Sequence, residues 1–466
     1  MITNNKRMKH LIWSTLGLVL LITLAPHLAT AQQIATLRLS LNEAQEYAIQ
    51  NNLQRKNAAL DVEIAKKKVW ETTAIGLPQV NFSTNYQHQF EVPQASLGYF
   101  LNPNLLPAGV PLTKDDILNA YQPSDPITFG VKNNTTFNVT ATQLVFSGPY
   151  IVGLQASRAY KELSELALSK TDQDIKSNVA SAYYTILLLN ELNLTLDSSL
   201  TNLKQTLSDT EAMRNAGFVD NIVVDQVKVS LFMIENSASE TSRQYASSKN
   251  LLKFLMGVSL DSEIELSESL SDMVNTLGPD YTEVQQFDPE SNLDLKLMTN
   301  QIQLSSLQLK LEKSNYLPNI SVFYSYQKLA NEPVFNFTPK SLLGASLNVP
   351  IFTSGMRNSK VQQARMELEK SKNSYNQVLQ SVEMDLTDAI AQLSVAWEKH
   401  KSQKENKDLA NRVYQNYRIR FAKGMSSQQD LIQANDKYLQ AVGNYSSAVI
   451  ELFNARLRVD KILGNL

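Results

Sequence analysis

The sequence predicts a mainly α-helical protein with a β-barrel portion, built from a duplicated unit that contributes four strands per chain. The first ground is composition: 466 residues carry only 15 glycines and 15 prolines. Average usage near ~7% and ~5% would supply roughly twice the glycine and half as much proline again. A helix interior tolerates these two residues least, so the shortage favours long uninterrupted helices over a turn-rich all-β chain. The second ground is placement, since proline is absent from Tyr150 to Gly278 and from Ile351 to Leu466. Those two blocks hold the long helices.

The third ground is repetition. Gly148, Gly217 and Gly257 recur 207 residues later as Gly355, Gly424 and Gly464, and Leu255-Met256-Gly257 is matched by Ile462-Leu463-Gly464. Asn52-Leu53, Leu77-Pro78 and Tyr86-Gln87 recur 240 residues later as Asn292-Leu293, Leu317-Pro318 and Tyr326-Gln327. The two offsets differ by 33 residues, which places an insertion of that size in the first copy between Gln87 and Phe146. A solenoid unit has a period of only about 20 to 50 residues, so here half a protein has been copied. The expected organisation is a leader over 1–31, a first repeat over 32–257, an equatorial segment between the repeats over 258–290, and a second repeat over 291–466.

Taken in order, the chain opens with a secretory leader pattern. Lys6, Arg7 and Lys9 form a basic region, Leu11 to Ala25 an apolar stretch, and Ala29-Thr30-Ala31 a small-residue cleavage site before Gln32. The apolar stretch is shorter than the ~20 residues of a spanning helix, which ranks an uncleaved anchor second. Cleavage would move the formal charge from −2 to −5. No later stretch reads as a transmembrane helix, so any crossing of a membrane would use a closed β-barrel.

Segments 42–76 and 292–316 read as helices ending at a Leu-Pro step, because the residue before proline is pushed out of helical geometry. The hydrophobic period then changes to two, predicting strands at about 79–91 and 132–146, and at about 319–328 and 341–352. Val80, Phe82, Tyr86 and Phe90 alternate with polar residues, and Phe137, Val139, Ala141 and Val145, then Ile320, Val322, Tyr324 and Tyr326, then Leu343, Ala345, Leu347, Val349 and Ile351 alternate mainly with polar or small residues. Strands of about ten residues with one apolar and one polar face fit an outer-membrane barrel, and also fit a soluble sandwich with one wet face. The smallest membrane barrels have about eight strands, so four per chain require several chains, a dimer giving eight and a trimer twelve. An outer loop over about 92–131 carries the insertion with its six prolines; it reads as a variable surface loop or a constriction of the outer mouth.

Helices over 149–215 and 355–423 are each followed by a glycine turn and a second helix, over 219–256 and 426–463. A helix of about 65 residues spans roughly 100 Å. Apolar seams at 3.5-residue spacing run through Ile175 to Leu207, through Val224 to Leu255 and through Leu431 to Ile462, the spacing of left-handed coiled-coil packing.

Two copies of helix, Leu-Pro, strand pair, Phe-x-(x)-Gly, long helix, glycine turn and closing helix resemble the TolC-like outer-membrane efflux proteins. Leu39-Ser40-Leu41-Asn42-Glu43-Ala44 is similar to that family's first helix. Arg420-Phe421-Ala422-Lys423-Gly424, with Asp430-Leu431-Ile432-Gln433-Ala434, resembles its periplasmic tip motif. The resemblance implies a homotrimer: one twelve-stranded barrel in outer-membrane lipid, continued by a long coiled-coil tunnel in the periplasm. It also implies a periplasmic adaptor protein and an inner-membrane transporter as partners.

It places Gly217, Phe218, Val219, Gly424, Met425 and Ser426 at a tip that docks the adaptor. The same glycines could simply cap helices. Asp430, Gln433, Phe421, Asp220 and Asp225 become candidates for the pore entrance or gate. Three converging copies of Asp430 would attract cations; alternatively its carboxylate answers the helix dipole. Gln433 stands where some relatives carry a second acid, and Ser426 where some carry a gate-locking arginine.

Enzymatic readings find no support. His88 and His400 are the histidines beyond the leader, expected at a barrel rim and on a solvated helix face, so no triad or metal site is visible. Absence of cysteine removes thiolate chemistry and disulfides, no phosphate-binding glycine loop occurs, and the near-neutral charge gives no reason for nucleic acid. No cofactor is expected. The function expected is a passive exit duct for small molecules, with a type I protein secretion outlet or a non-channel periplasmic coiled-coil scaffold as alternatives.

Overall fold

The computed structural model describes residues 37–96, 98–123, 126–276, 287–333 and 336–466; the leader expected over 1–31 and part of the 258–290 segment lie outside them. Helix dominates. A short strand β1 (Leu37–Leu39) precedes α1 (Leu41–Asn51) and α2 (Leu53–Ile75). The expected single helix over 42–76 is therefore two, broken at Asn52, whose backbone is extended at φ −58°, ψ 131°. The Asn52 side chain explains the break: its Oδ1 accepts from the Gln54 and Arg55 amides while its Nδ2 donates 2.7 Å to the Leu255 carbonyl.

Strand β2 (Gln79–His88) follows. The outer segment then forms two small antiparallel pairs, β3 (Gln94–Ala95) with β6 (Ile127–Thr128) and β4 (Tyr99–Leu101) with β5 (Tyr121–Pro123). Between β4 and β5 a short helix, α3 (Lys114–Ala120), starts with a Thr113–Asp116 capping box. β7 (Asn133–Ser147) leads into α4 (Gly148–Asn215), and α5 (Asn221–Met256) returns. β8 (Ile264–Leu266) pairs in parallel with β1, followed by α6 (Leu270–Thr276). The second half contains α7 (Leu293–Ser314), β9 (Asn319–Leu329), β10 (Ser341–Asn348), α8 (Met356–Ala422) and α9 (Gln428–Leu463).

The four long strands form one antiparallel sheet in the order β10-β9-β7-β2. Its register sorts the side chains. Residues directly opposite one another share a face, and the pairs Phe82↔Val139, Val139↔Tyr326, Tyr324↔Leu343 and Ile320↔Leu347 collect the apolar set on one side. The other side gathers Asn81, Ser83, Asn138, Thr140, Ser321 and Ser325, with Ser325 donating 2.8 Å to Asn138. Leu144, Phe323 and Leu342 also fall on this side, opposite Ser321, Thr142 and Ser325, and the alternation fails at two further places. A bulge between Leu144 and Phe146 leaves Val145 without a partner in β9, so Val145 does not continue the Phe137–Ala141 face. The fourth strand stops at Asn348 rather than near 352, just before Pro350, which has no N–H to give a ladder.

The core sits at mid-length of the long helices. Ala44, Ala48, Ile175, Val179, Tyr183, Ile186, Leu252, Met256 and Phe453 pack together there, with Tyr184 stacked on Phe453 at 4.0 Å and Tyr183 donating 3.1 Å to the Leu39 carbonyl. The joint repeats in the second half. Asn292 caps α7 as Asn52 caps α2, and its Nδ2 donates 2.9 Å to Ile462 as that of Asn52 does to Leu255. Gly257 and Gly464 sit in left-handed backbone at φ 70° and 77°, and a Cβ on either would meet the carbonyl oxygen of Asn51 or Ser291 at 2.6 or 2.7 Å.

The matched pair Gly148 and Gly355 diverges. Gly148 is needed for space, since its Cβ would meet Leu317 at 2.7 Å and the Ser314 carbonyl at 2.9 Å, whereas Gly355 is needed for its φ of 81°.

The expected inward faces of the long helices are packed ones. Of the seam from Leu431 to Ile462, Leu431, Ala434, Ala441, Tyr445, Ala448, Leu452, Ala455 and Val459 are buried. His400 is a correction: it is not on a solvated face but 5% exposed, between Trp397 at 5.9 Å and Tyr445 at 5.6 Å. It continues the buried run Leu386, Ala389, Leu393 and Ala396 of α8, so helical periodicity turns position 400 inward. His88 ends β2, with Nδ1 2.7 Å from Asn133 Oδ1. Among the described residues, no helix is long and apolar enough to cross a membrane.

Candidate functional site at the helical tip

The two hairpins end in matching turns far from the sheet. A helix of 68 residues, such as α4, is about 100 Å long. At its end the Gly217 N–H donates 2.9 Å to the Arg214 carbonyl and the Phe218 N–H donates 2.9 Å to Met213. At the end of α8 the Gly424 N–H donates 2.9 Å to Phe421 and the Met425 N–H 2.8 Å to Arg420. Both are the double closure in which a left-handed residue satisfies carbonyls the helix leaves orphaned. Glycine is required by φ, 81° at Gly217 and 68° at Gly424, and not by crowding, since a Cβ at either would meet open space.

Beyond the turns, Asp220 caps α5, accepting 2.6 Å from the Asn221 amide. Ser427 caps α9, and Asp430 completes the box: its Oδ2 accepts 2.7 Å from Ser427 Oγ and 3.2 Å from the Ser427 amide. Asp430 thus stabilises the first turn of α9 whatever else it does. Asp225 and Gln433 are exposed. Phe421, a candidate for the entrance, is buried with Tyr414, Leu431 and Ala434, against Met213 of α4. Any influence it has on an opening therefore acts through packing. Arg420 and Lys423 are exposed among these acids, so the tip is of mixed sign.

A cleft of about 520 Å³ joins the two turns, lined by Phe218, Val219, Phe421, Gly424, Ser426 and Gln428 among others. Phe218 in its wall stands exposed, as does Met425 of the second turn. Ser426 Oγ turns back to the Tyr417 carbonyl at 3.4 Å.

Sequence reasoning missed a set of polar contacts, two buried and one exposed, that tie one hairpin to the other. Thr210 Oγ lies 2.9 Å from the side-chain amide of Gln428, Ser199 Oγ donates 3.0 Å to Asn435, and Arg418 donates 3.0 Å to Asn202. Thr210 Oγ donates to Gln428 Oε1 at 2.9 Å and to the Thr206 carbonyl at 2.7 Å, one hydroxyl proton shared between two acceptors, while Gln428 Nε2 is buried without a partner among the described residues. A signal was available: Ser199, Thr206 and Thr210 recur at seven and four residues beside the leucine seam. Near them Tyr414 and Tyr438 stack at 5.6 Å, and burial pushes both phenols up from their ordinary range.

The family profile described as outer membrane efflux protein matches residues 44–258 and 289–465. No curated protein sequence matches. Among solved structures the chain is similar to the CmeC outer membrane channel of Campylobacter jejuni, at 16% identity and TM-score 0.69, covering 91% of this chain and 85% of that one. It is also similar to CusC, at 15% identity and TM-score 0.70, covering 92% and 93%. A third likeness is to the outer membrane protein VceC of Vibrio cholerae, at 15% identity and TM-score 0.68, covering 91% and 96%. At such identities the structures establish the fold, while the profile spans most of the chain in two blocks that flank the inter-repeat segment. The chain belongs to the outer membrane efflux protein family.

Proposed function

We propose that this protein is the exit duct of a tripartite efflux system in the outer membrane. It passively conducts small molecules delivered by a periplasmic adaptor and an inner-membrane transporter. In this reading three copies pool their strands into one twelve-stranded barrel, and their long helices continue it as a tunnel through the periplasm.

The observation that carries the reading is the sheet. It has one apolar face, one mainly polar face and two edge strands, β2 and β10, whose outer sides pair with nothing among the described residues. In hydrocarbon each unsatisfied backbone group costs several kcal/mol, and exposed Val80, Phe82, Leu343 and Leu347 are costly in water. Pairing β2 of one copy with β10 of the next satisfies both, with the apolar face toward lipid and the polar face toward a lumen. The tip cleft, which brings the two turns together, is the surface on which an adaptor would dock.

The test is fractionation followed by reconstitution in a planar bilayer. The expected result is recovery with outer membranes and discrete ion conductance. Recovery as a soluble protein, or membrane-embedded protein that does not conduct, would sink the duct.

A further inference from the structure

The edge strands β2 and β10, with α2, α5 and α8, lie at the flanks of the chain, whereas α7 is interior: it runs into the inner strand β9 and packs between α4 and α8. A further copy joined along either sheet edge therefore leaves α7 uncovered. Two polar contacts fix its neighbours. Lys170 of α4 pairs with Asp294 at 2.9 Å, and Ser371 Oγ of α8 lies 2.8 Å from Ser305 Oγ. Between these two levels the helices leave a cleft of about 630 Å³, lined by Glu162 of α4, Thr299, Asn300 and Gln303 of α7, Tyr375 of α8 and, at one end, Glu290. That volume suits a small organic ligand.

Asn300 is the anomaly in this cleft. The residue is 3% exposed, and its Oδ1 is buried with no hydrogen-bond partner among the described residues, a condition that costs stability unless another group supplies the donor. Helix packing does not ask for an amide here. By the repeat offsets of 240 and 207 residues, Asn300 and Tyr375 correspond to Leu60 and Leu168 in the first copy. Two leucines serve the same helices there, so the amide and the aromatic ring belong to the second copy alone. Their chemistry is specific. A carboxamide sets an acceptor beside a donor, and a secondary amide answers both with its own N–H and C=O. The half-buried Tyr375 offers a ring against which the C–H face of a pyranose can lie. Thr299, Gln303, Glu162 and Glu290 are exposed and supply donors and acceptors for hydroxyl groups. Lys296 joins the lining, so the charges are mixed and favour a neutral ligand.

We infer that this cleft binds a saccharide carrying an acetamido group. The ligand's amide N–H donates to Asn300 Oδ1, its carbonyl accepts from the same side chain, and its ring lies against Tyr375. The cleft is formed within one chain, so the inference stands apart from the exit-duct reading. Such a sugar can arrive free in solution or as part of a cell-wall glycan strand, and the recognition chemistry is the same for both.

The test is calorimetric titration of the full-length protein in mild detergent with N,N′-diacetylchitobiose, and with cellobiose, which has hydroxyls in place of both acetamido groups. Diacetylchitobiose should bind, and cellobiose should bind roughly tenfold or more weakly. Asn300→Leu and Tyr375→Leu, which install the residues of the first copy, should each weaken diacetylchitobiose by a similar factor while native mass stays unchanged. Leu60→Asn should leave binding as it is. Sedimentation with purified insoluble cell-wall glycan separates the sources: pelleting that Asn300→Leu abolishes identifies the polymer, and disaccharide binding without pelleting identifies a free sugar. No binding by the folded wild type, equal affinity in Asn300→Leu, or equal affinity for the two disaccharides would overturn the site. Bilayer conductance of the same preparation keeps the two readings apart. Conducting protein that ignores the sugar overturns the cleft alone, and protein that binds the sugar without conducting overturns the duct alone.

Discussion

Asp430 caps α9 through its hydrogen bonds, and in the proposed duct its charge would act separately. As the third residue of α9 it accepts from Ser427, and an asparagine there retains a carbonyl oxygen for the same contacts. Asp430→Asn should therefore leave thermal stability nearly unchanged while lowering cation selectivity or cation block in bilayer recordings. Unchanged conduction would confine Asp430 to its cap. Ser427→Ala should instead cost about 1 kcal/mol, read as a lower melting temperature. Thr210→Val leaves the Gln428 amide buried and unpaired and should cost about 1–3 kcal/mol. Thr210→Val with Gln428→Leu should recover most of that loss, because removing both partners strands neither; a double-mutant cycle in denaturant measures the coupling.

His400 gives a prediction in pH. Burial, and after it the charges of Lys404 and Lys407, hold its imidazole below the ordinary range, and its Nε2 has no partner among the described residues. The unfolded chain takes up this proton near pH ~6.5. Below that value the unfolded state binds more protons than the folded one, so stability falls as pH drops toward the folded value. Replacement by leucine should narrow the difference in melting temperature between about pH 7.5 and about pH 5. An unchanged difference would show that other groups set the acid response.

At the scale of elements, the four left-handed glycines at 217, 257, 424 and 464 end four helices in the same way. Two of them carry a second constraint. Gly257→Ala and Gly464→Ala combine a backbone penalty of roughly 1–2 kcal/mol with a clash against the Asn51 or Ser291 carbonyl. Gly217→Ala and Gly424→Ala should carry the backbone penalty alone. Melting temperatures of the four variants should fall into those two pairs, and equal losses would mean that the joint relaxes.

The same elements show why some of the fold is legible in sequence. Spacing of apolar residues names the packed side of α9, and alternation names the faces of β2 and β9, because both follow from backbone period alone. The break at Asn52 was hidden because its cause is a carbonyl 203 residues away. The bulge at Val145 depends on what β9 offers opposite it, and the inward turn of His400 on the ring of Tyr445 that α9 sets against it. At the tip the glycines are legible, since only φ matters there. The burial of Phe421 and the Thr210–Gln428 contact arise from the meeting of two hairpins, which no local pattern encodes.

At the scale of the molecule, two features of the single chain fit the proposed ring of copies. Its sheet has two open edges, and its flanking helices α2, α5 and α8 expose apolar stripes. Both features lie on the same two flanks, so the proposed ring of copies would cover them together. The scarcity of glycine and proline fits this economy, because a barrel drawn from several largely helical chains needs few turns in each. The most direct measurement is native mass spectrometry of the full-length assembly extracted from outer membranes in mild detergent. The account predicts three copies, with no folded monomer released on dilution. A folded monomer, or a stable assembly of any other number, would contradict it.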